Sequence, residues 1–261
     1  MIHRPSLARA VPRSPRAPAS SPPRAGRLTS MPARATGLVR ATRVPRTARP
    51  RRTMPVRSAS NKTDSSRSRV VDERDVHAAK WIKLVSIDYV DPNGTKRGWD
   101  AVRRTTTARN SEADAVCVFA TLRGSGVEDE VLLVRQFRPA CGTETIELPA
   151  GLIDQGESAE TSALRELREE CGYVGVVTSK TPAVVLSPGL SNESVVMVSV
   201  DVDMDAVENQ NVEQQLEGSE FITVIRCPKK ELLRTLDEFT ASGLRVFAGL
   251  YTLAWALEQP R

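Results

Sequence analysis

A stretch of 23 residues constrains this chain more than any other part of its sequence. It begins with a glycine-rich loop, Gly151–Glu157 (GLIDQGE), and ends with Arg165–Tyr173 (RELREECGY). Ser158 is a suitable helix N-cap and Gly172 a suitable left-handed C-cap, so the spacing predicts a helix between them. Apolar side chains recur at helical intervals and predict one face that packs on a core: Ala163, Leu164, Leu167 and Cys171.

Acidic side chains cluster on the last turns of this predicted helix. Glu166 and Glu170 lie four residues apart and share a face, with Glu169 beside them. Carboxylates this close repel one another unless a positive group lies among them, and their oxygens suit Mg²⁺ or Mn²⁺ as ligands. Arg165 is placed to pair with one of them and orient it. From these residues alone, a charged helix face turned towards solvent explains the same pattern.

The complete stretch resembles, position for position, the Nudix box. That motif runs Gly, five residues, Glu, seven residues, Arg-Glu, an apolar residue, one residue, Glu-Glu, one residue, Gly and an aliphatic residue. Tyr173 stands at the last position, where an aliphatic side chain is usual. The resemblance implies hydrolysis of a nucleoside diphosphate linked to another moiety. It also implies the Nudix fold, an α/β domain in which a mixed β-sheet is sandwiched between α-helices, with an N-terminal β-hairpin.

Three further segments are similar to the ADP-ribose and ADP-sugar pyrophosphatases within this family. They are Val134–Pro139 (VRQFRP), Glu147–Asp154 (ELPAGLID) and Ser187–Glu193 (SPGLSNE). In that subfamily a proline shortly beyond the box marks a preference for ADP-ribose, and Pro188 lies 15 residues beyond Tyr173. The resemblance covers roughly residues 78–257, which is nearly the whole chain outside its basic leader.

The resemblance implies a catalytic set that uses Mg²⁺, with Mn²⁺ as a substitute. The Ala150 carbonyl, Glu166 and Glu170 resemble the metal ligands, and Glu169 ligates directly or through water. Glu220 resembles a loop glutamate that acts as general base, although Glu169 is a second candidate and Glu217 lies close to Glu220 in sequence. A metal-bound water loses its proton more easily, so in-line attack would give AMP and ribose 5-phosphate. Arg165 is included among the catalytic residues.

Substrate contacts are implied for Trp81, Trp99, Arg104, Arg138, Leu152 and Pro188. In the family, two tryptophans sandwich the adenine by means of an N-terminal hairpin that is exchanged between protomers, so a homodimer is implied. Judged without the resemblance, Trp81 and Trp99 could simply pack the hairpin, and Arg138 could form a surface ion pair. We interpret Trp255 as a core residue of the last helix.

The remaining pattern predicts strands flanked by helices, with residues 61–75 as a polar linker and residues 76–261 as the Nudix domain. No apolar run approaches the roughly 20 residues that a membrane span needs, so we expect no membrane partner. Predicted strands are Trp81–Val90, Trp99–Arg104, Ala115–Leu122, Val131–Gln136, Thr145–Leu148, Pro182–Leu186, Val195–Val202 and Phe221–Arg226. The helices predicted after the box are Lys229–Phe239 and Leu244–Leu257.

Charge divides the chain into a basic leader and an acidic body. Residues 1–60 hold 14 Arg and no Lys, Asp or Glu, which leaves 23 basic and 32 acidic residues in the rest. The basic charge therefore does not lie on the folded body, and we expect no nucleic-acid partner. The leader is rich in Arg, Pro and Ser and resembles an organellar transit peptide. Its ten prolines disfavour an amphipathic helix, which favours a chloroplast over a mitochondrion. If the gene start is mis-assigned, the protein is cytosolic.

We therefore expect Mg²⁺-dependent hydrolysis of ADP-ribose, and of other ADP-sugars, as the function. One alternative is a Nudix hydrolase for NADH, ADP-glucose, a GDP-sugar or an oxidised nucleotide. The other is a non-catalytic Nudix module that binds a nucleotide. The three glutamates Glu166, Glu169 and Glu170 favour catalysis, because a module that only binds has no need of all three.

Overall fold

Residues 65–259 are described by a computed structural model. The first strands of this part of the chain form a small antiparallel sheet. It contains β1 (Arg69–Ala78), β2 (Ile82–Val90) and β3 (Lys96–Arg104) in that order. The turn between β2 and β3 is built by Asp91, whose carboxylate accepts backbone N–H groups of two residues within the turn. Gly94 completes the turn at φ +85°. The predicted hairpin is confirmed.

The first strand was not predicted, and the linker assignment is wrong for residues 69–75. They belong to β1, which pairs with β2 from Arg69 opposite Val90 to Ala78 opposite Lys83. All ten residues of β1 are exposed, and ion pairs such as Arg74 with Asp88 join it to β2. Backbone hydrogen bonds hold this strand rather than a buried face, so its sequence lacks the apolar alternation that signals a strand.

A nine-stranded mixed sheet forms the centre of the fold. The main strand order is β12-β6-β5-β4-β10-β8, while β11 pairs with β5, β7 with β4 and β9 with β10. β10 runs parallel to β4, and β12 runs parallel to β6. The strands are β4 (Ala115–Arg123), β5 (Glu130–Arg138), β6 (Thr143–Glu147), β7 (Ala150–Leu152), β8 (Val176–Lys180), β9 (Val184–Val185), β10 (Ser194–Asp203), β11 (Thr223–Pro228) and β12 (Arg245–Val246). Of these, β7, β8 and β12 were not predicted.

Three α-helices cover the two faces of this sheet. Side chains of β4 alternate between the faces: Val116 and Val118 pack in one core with α1 (Ala159–Cys171), and Cys117 packs in the other with α2 (Leu232–Ala241) and α3 (Ala248–Glu258). The α/β fold with a mixed sheet between helices is therefore confirmed. Short 3₁₀ turns lie at Ser65–Arg67, Val207–Asn209 and Lys229–Glu231. None of the helices described is long and apolar enough to cross a membrane.

The last helix differs from its prediction in two ways. It begins at Ala248 rather than at residue 244, because Arg245–Val246 pair in parallel with β6. Trp255 is 54% exposed, so its interpretation as a core residue is wrong. Leu250 and Ala254 form the buried stripe of α3, and one residue further along a helix turns a side chain by about 100° away from that stripe.

A bridge joins the small sheet to the loop that follows β9. The Val102 N–H donates to the Leu190 carbonyl at 2.9 Å, and Val102 pairs in parallel with Ser191. Arg104, at the end of β3, forms an ion pair with Glu193. These contacts hold the segment that contains Pro188 against β3, beside the open end of the central sheet.

Candidate active site

A cavity of 490 Å³ opens where the ends of several strands meet α1. It is lined by the end of β6, by β7 and by the start of β4, together with residues from segments 186–195 and 217–220. Of the predicted site residues, it gathers Arg104, Arg138, Ala150, Leu152, Arg165, Glu166 and Glu220, whereas Glu169 and Glu170 are not among the residues that line it. The other residues lining it are Ala115, Val116, Cys117, Glu147, Leu148, Gly151, Asp154, Leu186, Glu193, Val195, Glu217 and Phe247.

Two capping residues position α1 at this cavity, as the sequence predicts. The Ser158 hydroxyl accepts the Thr161 N–H at 3.2 Å, and Gly172 ends the helix at φ +79°, donating its own N–H to the Arg168 carbonyl. A Cβ at Gly172 would lie 2.9 Å from backbone atoms of Glu213. The C-cap therefore requires glycine for both its conformation and its close contact.

Gly151, the first residue of the predicted motif, makes room for a carboxylate. A Cβ there would lie 1.9 Å from an oxygen of Glu166. The absence of a side chain at residue 151 lets the Glu166 carboxylate lie directly against β7. The glycine at the start of the loop and the glutamate on the helix are thus parts of one contact.

Arg165 is the centre of a cluster of charges. Its guanidinium donates to Glu157 at 3.1 and 3.0 Å, to Glu166 at 2.7 Å, to Glu169 at 3.0 Å and to the Leu152 carbonyl at 3.0 Å. The hydrogen bonds from Arg165 lower the pKa of Glu157 to about 2 and in turn raise the pKa of Arg165. Arg165 therefore fixes the box loop and the helix carboxylates relative to each other.

The carboxylate residues Glu166 and Glu170 are almost completely buried. They are 9% and 4% exposed. Burial raises the pKa of Glu166, and it raises the pKa of Glu170 to about 8 although Glu170 accepts the Ala150 N–H at 3.0 Å. Burial deprives the charged forms of both carboxylates of solvation. Carboxylates in such surroundings are typical of sites that bind a cation.

The glutamates Glu217 and Glu220 line the same cavity as Glu166. The Glu220 carboxylate accepts the Glu217 N–H at 2.9 Å, and the Glu220 N–H donates to the Glu217 carbonyl at 3.0 Å. The negative charge of Glu220 contributes to the raised pKa values of Glu166 and Glu170. Both residues line the cavity, so the alternative between them as general base stays open.

The two arginines predicted to contact the nucleotide each bind a carboxylate within the protein. Arg138 donates to both oxygens of Glu147, at 2.8 and 2.7 Å, and Arg104 pairs with Glu193. Burial acts to raise the pKa of Glu147, but hydrogen bonds from Arg138 and Thr145 outweigh it and lower the pKa. Glu147 and Glu193 had no predicted role, although both lie in segments that carried the resemblance. Their pairing depends on strand register and loop position.

Trp81, Trp99 and Pro188 do not line the cavity. Trp99 pairs with Ile87 in the middle of the small sheet, whereas the Trp81 carbonyl accepts the N–H of Thr105, six residues further along. Six residues of strand span about 20 Å, so the two tryptophans of one chain lie too far apart to sandwich one base. Both side chains are exposed.

The donor set at the cavity fits a hard divalent cation. Glu166, Glu170 and the Ala150 carbonyl offer oxygen atoms, which Mg²⁺ and Mn²⁺ prefer. Within residues 65–259, no three His, Cys, Asp or Glu side chains are gathered around a common point as metal ligands. The donors available to a cation are therefore two buried carboxylates and one backbone carbonyl. Arg165 holds Glu169 beside them by a hydrogen bond.

The chain is similar in sequence to several known proteins. Residues 112–247 match the NUDIX domain family. The ADP-sugar pyrophosphatase of Mus musculus is 39% identical over 200 residues, which cover 76% of this chain and 91% of that protein. The ADP-ribose pyrophosphatase of Saccharomyces cerevisiae is 46% identical over 160 residues, covering 61% of this chain and 68% of that protein. The ADP-ribose pyrophosphatase of Bacillus subtilis is 28% identical over 173 residues, covering 66% and 85%.

Proposed function

The chain belongs to the Nudix hydrolase family, and on that basis we propose that it hydrolyses the diphosphate of ADP-ribose, and of related ADP-sugars, to AMP and a sugar phosphate. The observation that carries this proposal is the cavity itself. One space of 490 Å³ is lined by the buried Glu166, by Arg165 that binds it and by two further arginines, and the buried Glu170 accepts the N–H of Ala150 in its wall. The pyrophosphatase relatives supply the substrate class.

We propose Mg²⁺ as the cofactor, held by the Ala150 carbonyl, Glu166 and Glu170, with Glu169 as a further ligand. A cation held by these residues would supply positive charge to offset the negative charge of the diphosphate and would make water easier to deprotonate. The buried carboxylates support the proposal, because a divalent cation would restore the stabilisation that their charged forms lack in the dry cavity. Mn²⁺ has the same ligand preference and is expected to substitute.

Protein groups provide the remaining chemistry. Arg165 keeps Glu166 and Glu169 in place, while Arg104 and Arg138 hold the phosphates in line for attack. Glu220 or Glu169 removes the proton from the attacking water, and the hydroxyl adds to one phosphorus as the bridging oxygen leaves on the other phosphate. Leu152 lies in the wall of the cavity and contacts the substrate.

We also propose a homodimer in which adenine is bound between tryptophans of two protomers. Trp81 and Trp99 are exposed and lie about 20 Å apart along the hairpin, so they can share a base only if one of them comes from a second copy. The exposed valines of β1 (Val70, Val71 and Val76) support an N-terminal sheet that packs against a partner. Light scattering of the purified chain tests this proposal.

The catalytic proposal is tested with initial rates on ADP-ribose, ADP-glucose, NADH and a GDP-sugar in Mg²⁺, with products separated by chromatography. We expect AMP from ADP-ribose. Loss of a residue that only supports a metal ligand costs up to about a hundredfold in activity. Because Glu170 is proposed as a ligand itself, Glu170→Gln should reduce the rate by at least about a hundredfold. Glu231→Gln, which breaks an exposed ion pair with Arg234 at the start of α2, is the matched control. Absence of turnover on every substrate would refute catalysis, and a non-catalytic module would then be the better interpretation.

For localisation, we propose an organelle, with a chloroplast favoured over a mitochondrion. The support is the composition of residues 1–60, which lie outside the described residues. A fluorescent protein fused behind this segment tests the proposal in plant cells. Retention of the fusion in the cytosol would contradict it.

A further inference from the structure

Among residues 65–259, every arginine that lines the cavity already has a carboxylate partner. Arg138 is bound by both oxygens of Glu147, Arg104 is paired with Glu193, and Arg165 is surrounded by the glutamates of the box. The partners Glu147 and Glu193 line the cavity themselves. A phosphate that approaches Arg104 or Arg138 therefore also meets a negative group beside it.

The sum of charges along the wall is negative. In the part of the chain that the structure describes, three arginines line the cavity together with six acidic side chains: Glu147, Asp154, Glu166, Glu193, Glu217 and Glu220.

We propose that Glu147 and Glu193 determine specificity by charge: they admit a ligand whose phosphates are all internal and reject one that ends in a free phosphate. This inference rests on the proposed function, since it assumes that phosphates of the ligand lie against Arg104 and Arg138. The two glutamates hold the arginines in position for hydrogen bonding while cancelling their net charge. The paired arginines still offer directional hydrogen-bond donors. They carry no surplus of positive charge that would favour the most anionic ligand.

The selectivity follows from how charge is distributed in the ligands. Each phosphate of a diphosphate diester carries one negative charge, whereas a terminal phosphate carries about two at neutral pH. ADP-sugars therefore bring less charge to the cavity than ADP or ATP. Repulsion between like charges grows as water is excluded, so the extra charge of a terminal phosphate costs more inside the cavity than in solution.

The test measures binding rather than turnover. Calorimetric dissociation constants are determined for ATP, ADP and the α,β-methylene analogue of ADP-ribose, at one fixed concentration of free Mg²⁺. The proteins are the full chain and its Glu147→Gln and Glu193→Gln variants, because glutamine keeps an acceptor for the arginine and removes the charge. Each variant is compared with the wild type for the same ligand, so complex formation between nucleotide and Mg²⁺ in solution cancels.

We expect the wild type to bind the methylene analogue at least tenfold more tightly than ATP. In each variant the dissociation constant for ATP should fall by a factor at least ten times that for the methylene analogue. The dissociation constant for ADP should fall by a smaller factor than that for ATP. Glu231→Gln, which removes the charge from an exposed Arg–Glu pair outside the cavity, should change neither ligand by more than twofold.

Two results would overturn the inference: equal binding of ATP and the analogue by the wild type, or variants that change both ligands by the same factor. Equal binding of the two ligands by the wild type overturns the inference even if a variant does not fold. The proposed function is judged separately, by release of AMP from ADP-ribose. A chain that shows the charge selectivity without turnover would refute catalysis and leave this inference standing.

Discussion

Replacing Gly151 with alanine should separate stability from activity, because the added methyl collides with the carboxylate of Glu166. The new Cβ would lie 1.9, 2.0 and 2.4 Å from the three carboxylate atoms of Glu166. Ordinary contact begins at about 3.4 Å, so the carboxylate must move by about 1.5 Å. Gly151 is not at a positive φ, so the backbone itself accepts alanine.

The cost in stability should be small. Glu166 would lose its 2.7 Å hydrogen bond with Arg165, and such a charged hydrogen bond contributes about 1.5–3 kcal/mol. Arg165 keeps Glu157, Glu169 and the Leu152 carbonyl, which offsets part of that loss. Alanine also reduces the entropy of the unfolded chain, which stabilises the fold by about 0.4–1 kcal/mol. A net loss of about 1 kcal/mol corresponds to a Tm about 2–4 °C lower.

The cost in activity should be large. A displacement of about 1 Å at a catalytic group can reduce the rate about a hundredfold, and the displacement of Glu166 exceeds that. We therefore expect Gly151→Ala to release AMP from ADP-ribose at least about a hundredfold more slowly. Its Tm, measured by differential scanning fluorimetry, should stay within a few degrees of the wild type.

Two controls test the cause of this effect. Gly98→Ala adds a methyl that meets nothing within 4 Å and should leave the rate unchanged. If displacement of Glu166 is the whole effect, the double variant Gly151→Ala with Glu166→Gln should be no slower than Glu166→Gln alone. The reasoning is refuted if Gly151→Ala keeps activity within threefold of the wild type, or if the two single effects multiply.

Three further variants probe the elements that hold α1. Gly172→Ala places an alanine in a left-handed conformation and brings its Cβ to 2.9 Å from the Glu213 backbone. Urea unfolding should therefore show a free energy of unfolding that is lower by about 1–3 kcal/mol, and an unchanged midpoint would contradict this. Leu167→Ala, at a fully buried site, should cost about 2–5 kcal/mol by the same assay, and a loss below 1 kcal/mol would refute the assignment to the core. Because hydrogen bonds from Arg165 lower the pKa of Glu157 to about 2, its contribution is present above its unfolded pKa of about 4.5 and disappears as the pH falls through about 2. The wild type should therefore exceed Glu157→Gln in stability by up to about 3 kcal/mol at pH 6 and lose that advantage by pH 2, and a difference independent of pH would argue against the ion pair.

Local patterns were enough to predict α1 and its caps. Ser158 and Gly172 begin and end the helix where their chemistry predicts, and Glu166 and Glu170 share a face because helical spacing requires it. The hairpin β2–β3 was predicted for a similar reason, since Asp91 and Gly94 have the conformational preferences of the turn that they form. These features depend on residues close together in the chain.

Features that depend on partners distant in sequence were missed or misassigned. β1 has no buried face, so nothing in its own residues predicts a strand, and only the edge of β2 makes it one. β12 has two residues and exists because β6 lies alongside it. Trp255 looked like core by its residue type, but the orientation of α3 turns it outward.

The sequence by itself determined the family, the α/β class and the residues of the catalytic motif, because that motif is contiguous and its chemistry depends on short spacing. Only the tertiary structure decided which charges meet. It brings Glu147 to Arg138 through the register of β5 and β6, and it brings Glu193 to Arg104 across 89 residues of chain. It also separates Trp81 from Trp99. Such pairings depend on strand register and loop packing, and local propensity carries no information about either.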